Sequence, residues 1–244
     1  MARVLVFRPL FDLATTYGNA WLGVIADRAR ALGHEVMDLS GEAATKEAFF
    51  SALETFRPEI VIACSHGSPT LFTSQGGEVA LQACRNDDVM AGTQAYFVSC
   101  LVGQELLPSM NEKDARVVAG YTAEFVWVIH PGYSDRPLED PYARPFMRAV
   151  VEPTAELLAG ASWRQWYDRT VAMFNRGIAE WFGSEDPNAP QIVAALEHDR
   201  DSLVVYGEVE ARPAARLVAA RIPLMFVPPL LLGAIIVGMQ TEKP

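Results

Sequence analysis

The chain has 244 residues, of which 50% are hydrophobic and 20% are charged. This composition excludes a mainly disordered chain and favours one domain of about 200 residues with a substantial core. Its 30 Asp and Glu residues outnumber its 20 Lys and Arg residues, which gives a formal net charge of −10. Proteins that bind the phosphate backbone usually carry the opposite sign, so nucleic acid is not expected as a partner.

Apolar segments of two different periods alternate along the chain. The predicted strands are Arg3–Phe7, His34–Leu39, Glu59–Cys64, Gln94–Ser99, Ala115–Ala119 and Ser202–Tyr206. The predicted helices are Gly18–Leu32, Ala44–Phe56, Ala161–Phe182 and Pro190–Glu197. Strands that alternate with helices of this length are typical of an α/β fold, in which helices cover both faces of a mostly parallel sheet.

Two further segments have a distinctive composition. The stretch Ser134–Ala149 is rich in proline and charge, and we expect a long surface connection there. Aromatic residues recur along the predicted helix Ala161–Phe182, including Trp163, Trp166 and Phe174. Such a stripe is usually a buried helix face, so we expect it to pack in the core and not to form a binding surface.

The C-terminal segment Ile222–Met239 contains 18 residues without a charged or polar side chain. At 1.5 Å per residue a helix of this length spans about 27 Å, close to the hydrocarbon thickness of a bilayer. Arg212, Arg216 and Arg221 precede it, so the positive-inside rule places the folded domain in the cytoplasm. The alternative is a buried C-terminal strand or hairpin, which the paired prolines Pro228 and Pro229 allow.

The predicted organisation therefore has four parts, and the lipid bilayer is a predicted partner. They are a main folded domain (1–211), a basic juxtamembrane linker (212–221), a single transmembrane helix (222–239) and a short tail (240–244).

The three cysteines, Cys64, Cys84 and Cys100, form no C-x-x-C pair. This spacing argues against a zinc ribbon or a thioredoxin-type site, and free thiols in a reducing compartment are the simplest interpretation. We expect Cys64 and Cys84 to be inert core residues, and we expect neither a metal nor another cofactor.

Reactive side chains follow two of the predicted strands. His66 and Gly67 follow the third strand, and Cys100 follows the fourth. Ligands bind at the carboxyl ends of parallel strands, so these side chains would lie together if the two strands are neighbours. An imidazole beside a thiol provides either a nucleophile with its general base or a thiolate–imidazolium ion pair.

Two backbone groups complete this constellation. Gly67 has no side chain, so its N–H can approach a substrate carbonyl, and with the N–H of Cys100 it would form an oxyanion hole. The other histidines, His34, His130 and His198, are expected to be ordinary hydrogen-bonded residues.

These segments resemble the caspase-hemoglobinase fold of cysteine peptidases (clan CD), and most closely its gingipain-type branch. The resemblance rests on Ser65–Ser68, Val98–Gly103 and Val117–Thr122, together with Leu203–Val209 at the end of the domain. Glu208 and Val209 replace the Asp and Pro of the branch in the last segment. The likeness extends over about residues 3–212, and its sharpest matches are the His66 and Cys100 segments.

The resemblance implies a three-layer caspase-like fold and a cysteine endopeptidase that acts on proteins or peptides. Cys100 would be the nucleophile, His66 the base and acid, and Gly67 an oxyanion donor, with a thioester acyl-enzyme as intermediate. It also implies that the loop after the first strand contributes to substrate binding. Asp12 could pair there with a basic substrate residue, or Arg8 with an acidic one, and Ser99 is a further candidate for substrate binding.

Two alternatives belong to other functional classes. One is a catalytically inactive caspase-like scaffold or sensor at the membrane, although the presence of both His66 and Cys100 argues against it. The other is a nucleotide-binding α/β domain. No G-x-G-x-x-G follows the first strand, and the bulky segment Phe7–Asp12 would keep a pyrophosphate at a distance.

Overall fold

The computed structural model describes residues 1–213 and contains one six-stranded sheet and a separate hairpin. The strands are β1 (Arg3–Arg8), β2 (Glu35–Ser40), β3 (Ile60–Cys64), β4 (Leu71–Thr73), β5 (Val79–Gln82), β6 (Gln94–Val98), β7 (Val117–Tyr121) and β8 (Leu203–Gly207). The helices are α1 (Leu13–Ala31), α2 (Lys46–Ser51), α3 (Leu106–Glu112), α4 (Arg144–Leu158), α5 (Trp163–Phe182) and α6 (Ala189–Ser202).

The main sheet has the strand order β2-β1-β3-β6-β7-β8. All neighbours are parallel except β7 and β8, which pair antiparallel, while β4 and β5 form the separate antiparallel hairpin. Because β3 and β6 are adjacent and parallel, their carboxyl ends leave the sheet side by side.

Alternate residues of the central strands face two different cores. On β1, Val4 and Val6 belong to the core that includes residues of α1, α4, α5 and α6, whereas Leu5 and Phe7 belong to the core that includes residues of α2, α3 and the hairpin. The period of two along each strand sends successive side chains to opposite faces. The result is the expected three-layer arrangement of helices, sheet and helices.

Helix α1 begins at a capping box that also positions the loop after β1. The Asp12 side chain accepts a hydrogen bond from the backbone N–H of Thr15, and the Thr15 hydroxyl accepts one from the backbone N–H of Asp12. Such reciprocal bonds satisfy backbone donors that the first helical turn leaves free. The position of Asp12 is therefore fixed by the start of the helix.

The predicted strands are confirmed, with boundaries that differ by one or two residues. The aromatic stripe of α5 is core over most of its length, since Trp163, Trp166 and Phe174 are fully buried, but Phe182 at its end is 82% exposed, in contrast to the expectation. The Trp163 indole N–H donates to Gln94 Oε1 at 2.7 Å, which ties α5 to the beginning of β6.

The expectation of a surface connection over Ser134–Ala149 is wrong for its last six residues, because α4 begins at Arg144. Phe146 and Met147 are buried against the sheet, while the neighbouring Arg144 side chain is exposed. The charges occupy the outer face of an amphipathic helix, which composition alone did not separate from a loop. The short elements β4, β5 and α3 were not predicted either.

The predicted transmembrane segment Ile222–Met239 lies outside the described residues. Within residues 1–213, no helix combines the length and the apolar character needed to cross a bilayer.

Candidate active site

His66 and Cys100 lie at the same edge of the sheet. In the β3–β6 ladder Cys64 pairs with Val98, so each candidate catalytic residue lies two positions beyond a paired residue. Both side chains line one cavity of about 150 Å³, which also contacts α1 and α4. The structure thus brings together the two residues that the sequence placed at neighbouring strand ends.

The His66 imidazole has a carboxylate partner. Its Nε2 lies 2.5 Å from Oδ2 of Asp12, while Oδ1 of the same carboxylate accepts the Thr15 N–H that caps α1. The Phe11 ring lies 5.7 Å from the imidazole, measured between ring centroids. Asp12 therefore links the start of α1 to the candidate base.

The protonation of Asp12 decides which imidazole nitrogen is basic. Partial burial opposes its charge, but hydrogen bonds from the Thr15 backbone and from His66 outweigh burial and hold its pKa below the usual value. Asp12 is therefore ionised at neutral pH, and an ionised carboxylate can only accept hydrogen bonds. In the neutral imidazole Nε2 then carries the proton, and Nδ1 is the nitrogen that can accept one.

The Cys100 side chain is only partly accessible, and its Sγ lies 3.9 Å from the carbonyl oxygen of Phe125. Burial raises the pKa of this thiol, and the negative charge of Glu124 raises it further. Cys100 is consequently a neutral thiol at neutral pH. Of the two arrangements expected from the sequence, this favours a thiol with a general base over a preformed ion pair.

Gly67 approaches the segment that carries Cys100 too closely for any other residue. A Cβ at this position would lie 2.3 Å from Oγ of Ser99 and 2.7 Å from the carbonyl oxygen of Cys100. Within residues 1–213, the backbone N–H groups of Gly67 and Cys100 donate to no acceptor outside the helices and strands. The Gly67 donor is therefore available to a ligand, as an oxyanion hole requires, while the Cys100 N–H also interacts with its own thiol.

Two of the expected substrate-binding residues have partners within the protein. The Arg8 guanidinium contacts both carboxylate oxygens of Asp38, at 2.7 and 2.9 Å, and its side chain is only 17% exposed. Arg8 is therefore not free to bind an acidic substrate, in contrast to that expectation. Asp12, expected to pair with a basic substrate residue, is hydrogen-bonded to His66 instead.

Ser99, the third candidate for substrate binding, is almost fully buried. Its residue is 2% exposed, and its Oγ packs against the Cα position of Gly67 without a hydrogen-bond partner in the described structure. Ser99 therefore supports the close approach of the segments that carry His66 and Cys100, and it also lines the cavity beside them.

The remaining histidines are structural, as expected. His34 is buried, and its two ring nitrogens contact the Leu158 carbonyl oxygen and the Ala2 N–H. His130 accepts the N–H of Gly132, and His198 contacts the carbonyl oxygen of Glu124.

The two remaining cysteines differ from each other. Cys64 is buried as expected, and burial raises the pKa of its thiol to about 12. Cys84 is exposed on a turn with a φ of 59°, so the expectation that it lies in the core is wrong. Cys84 follows the end of the apolar strand β5 by only two residues, so the sequence alone did not separate it from the core.

Comparisons with known proteins find similar solved structures but no similar sequence. No protein-family model matches the chain, and no curated protein sequence matches it. Among solved structures, the Arg-specific cysteine proteinase gingipain R superposes with a TM-score of 0.58 at 12% identity, covering 87% of this chain and 48% of that chain. A complex of the Porphyromonas gingivalis RgpB pro- and mature domains superposes with a TM-score of 0.55, at the same identity and coverage.

The chain thus spans about half the length of these solved chains. The likeness confirms the caspase-hemoglobinase fold that the sequence resemblance implied.

The raised pKa of Cys100 predicts the pH dependence of its alkylation. Because the neutral thiol is favoured, the rate of alkylation by iodoacetamide should rise with pH and show its inflection above the roughly 8.5 of an unperturbed cysteine. The rate is measured by mass spectrometry of the peptide that contains Cys100. An inflection well below pH 8 would instead indicate a preformed thiolate.

Proposed function

We propose that the chain is a cysteine endopeptidase in which Cys100 and His66 form the catalytic dyad. The observation that carries this proposal is the common cavity lined by both side chains, with the Asp12 carboxylate held against the imidazole. The fold shared with a cysteine proteinase also supports it. In addition, His66 and Cys100 lie at the carboxyl edge of the sheet, where α/β proteins bind ligands.

The proposed reaction starts from the neutral thiol. Nδ1 of His66 takes the proton as Sγ of Cys100 attacks the carbonyl carbon of the scissile peptide bond. The N–H groups of Gly67 and Cys100 stabilise the negative charge that develops on the carbonyl oxygen. His66 then returns the proton to the leaving amine, and the acyl group remains on Cys100 as a thioester.

Hydrolysis of the thioester uses the same groups, with water as the attacking nucleophile. His66 removes a proton from a water molecule, the resulting hydroxide attacks the thioester carbonyl, and the Cys100 thiolate leaves and recovers its proton. Asp12 acts throughout as a positioning residue, because its hydrogen bond fixes the imidazole orientation and keeps the proton on Nε2.

Substitution of either dyad residue should abolish peptide hydrolysis. Cys100→Ala and His66→Ala each remove a group needed in every turnover, so kcat/KM should fall by several orders of magnitude. The measurement is hydrolysis of a fluorogenic peptide panel, with folding checked by circular dichroism. Cys84→Ala is the matched control, since it removes an exposed thiol outside the site.

Undiminished turnover by Cys100→Ala would contradict the proposed nucleophile. If the unmodified protein cleaves no peptide and an electrophilic peptide inhibitor does not label Cys100, the inactive scaffold or sensor is the better description.

Asp12→Asn should lower kcat for every substrate by a similar factor. The expected loss is at least about 10-fold, but below the roughly 10⁴-fold cost of losing a buried triad aspartate, because the Asp12 side chain is 38% exposed to water. The measurement is kcat and KM on peptides with Arg, Asp or Leu before the cleaved bond. A loss confined to Arg peptides would instead identify Asp12 as a specificity residue.

We also propose that Ile222–Met239 anchors the enzyme to a membrane as a single span, with the catalytic domain in the cytoplasm. The support is the uncharged run itself and the arginines that precede it, each contributing roughly 1 kcal/mol near an anionic leaflet.

The full chain should therefore fractionate with membranes and require detergent for release, whereas a chain that ends at Arg221 should remain in the supernatant. The measurement is ultracentrifugation followed by immunoblotting, with and without detergent. Recovery of the full chain in the supernatant without detergent would indicate that the segment packs against the protein.

A further inference from the structure

We propose that the cavity beside Cys100 binds an apolar side chain of the substrate, so that cleavage follows a residue such as Leu, Met or Phe. The side chain belongs to the residue whose carbonyl group Cys100 attacks. This inference rests on the proposed peptidase function and adds to it the class of substrate.

The position of the cavity identifies which substrate group enters it. Cys100 and His66 line it together with Cys64 and Val98, the last paired residues of β3 and β6. A carbonyl carbon in contact with Sγ of Cys100 carries its own side chain within reach of this space. The cavity is therefore suited to the residue on the acyl side of the cleaved bond.

The lining of the cavity is mostly apolar, and its polar residues besides the dyad are Thr15, Ser65 and Ser99. Helix α1 contributes Leu22, α4 contributes Met147 and Val150, and the chain after β7 contributes Phe125 and Trp127. Asp, Glu, Lys and Arg are absent from the lining in the described structure. Burial of a charged side chain without a partner is strongly unfavourable, so charged substrate residues are disfavoured here.

Two charged residues near this region are also neutralised. The Arg8 guanidinium is paired with Asp38, as described above. Asp199, behind the Phe125 segment, is buried, and burial raises its pKa to about 9, so it is uncharged at neutral pH. Neither residue lines the cavity.

The size of the cavity fits a medium or large apolar side chain. A protein cavity of about 150 Å³ with an apolar lining accommodates benzene, which is comparable to the side chain of Leu, Met or Phe. Gly18 helps to leave this space open, because a Cβ there would lie 2.8 Å from Sγ of Cys64. A side chain at position 18 would therefore crowd the wall that Cys64 forms.

The surface next to the dyad has the same character. Of the six large hydrophobic residues that are exposed within residues 1–213, three flank Asp12: Leu10 at 44%, Phe11 at 36% and Leu13 at 49% exposure. Exposed apolar residues that cluster at a cleft commonly mark a binding surface. This cluster is suited to an apolar peptide that continues beyond the cavity.

The test uses peptide coumarylamides that differ only in the residue before the cleaved bond: Leu, Met, Phe, Ala, Arg or Asp. For the full chain in mild detergent, kcat/KM for Leu, Met or Phe should exceed that for Arg and Asp by more than about 10-fold. In parallel, chloromethyl ketones of the Phe, Arg and Asp peptides compete for Cys100, and mass spectrometry measures which one reacts. The Phe reagent should dominate.

A variant that fills the cavity tests whether the preference for large apolar residues depends on the cavity walls. Ala14 lines the cavity from α1, and Ala14→Leu should reduce kcat/KM for Phe by more than about 10-fold while changing that for Ala less than about 3-fold. Ala31→Leu is the matched control, because Ala31 is exposed at the far end of the same helix and outside this cavity.

The outcomes separate this inference from the proposed function. Cleavage and labelling that favour Arg or Asp overturn the apolar cavity alone, as does an equal loss for all substrates in Ala14→Leu. If no peptide is cleaved and no reagent reacts with Cys100, the peptidase proposal fails and the inference fails with it.

Discussion

The parallel pairing of β3 with β6 is the constraint on which the candidate site depends. Its register places Cys64 opposite Val98, so that His66 and Cys100 leave the sheet at equal distances beyond the ladder. A shift of one residue would reverse the faces of every side chain on one strand and separate the two groups. The close contact of Gly67 with Ser99 and Cys100 then holds the two strand ends together.

The same pairing determines where a substrate side chain can go. Cys64 and Val98 face the core that α1 and α4 cover, whereas Ala63 and Phe97 face the other side of the sheet. The cavity beside Cys100 therefore has apolar walls of strand and helix residues. Asp12 connects α1 to this site, because its carboxylate both caps the helix and contacts His66.

The backbone adopts an unusual conformation directly after Cys100. Leu101 directly follows Cys100 and adopts a φ of 64°, a left-handed conformation that costs a residue with a Cβ roughly 1–2 kcal/mol. The hydrogen bond from its N–H to the carbonyl oxygen of Ala123 helps to maintain it. The turn directs the chain away from the sheet immediately after Cys100. Such strain is commonly found where a functional group must be held in a fixed position.

The sequence by itself determined the strands of the main sheet, the presence of helices on both of its faces, and the two strand ends that carry His66 and Cys100. Runs of apolar residues and the residues that end them are local properties, so they can be read without a structure. Only the tertiary structure showed that Asp12 partners His66, 54 positions away, and that α4 supplies Met147 and Val150 to the cavity. These contacts depend on how α1 and α4 pack on the sheet, and the local pattern of neither segment specifies what the other will touch.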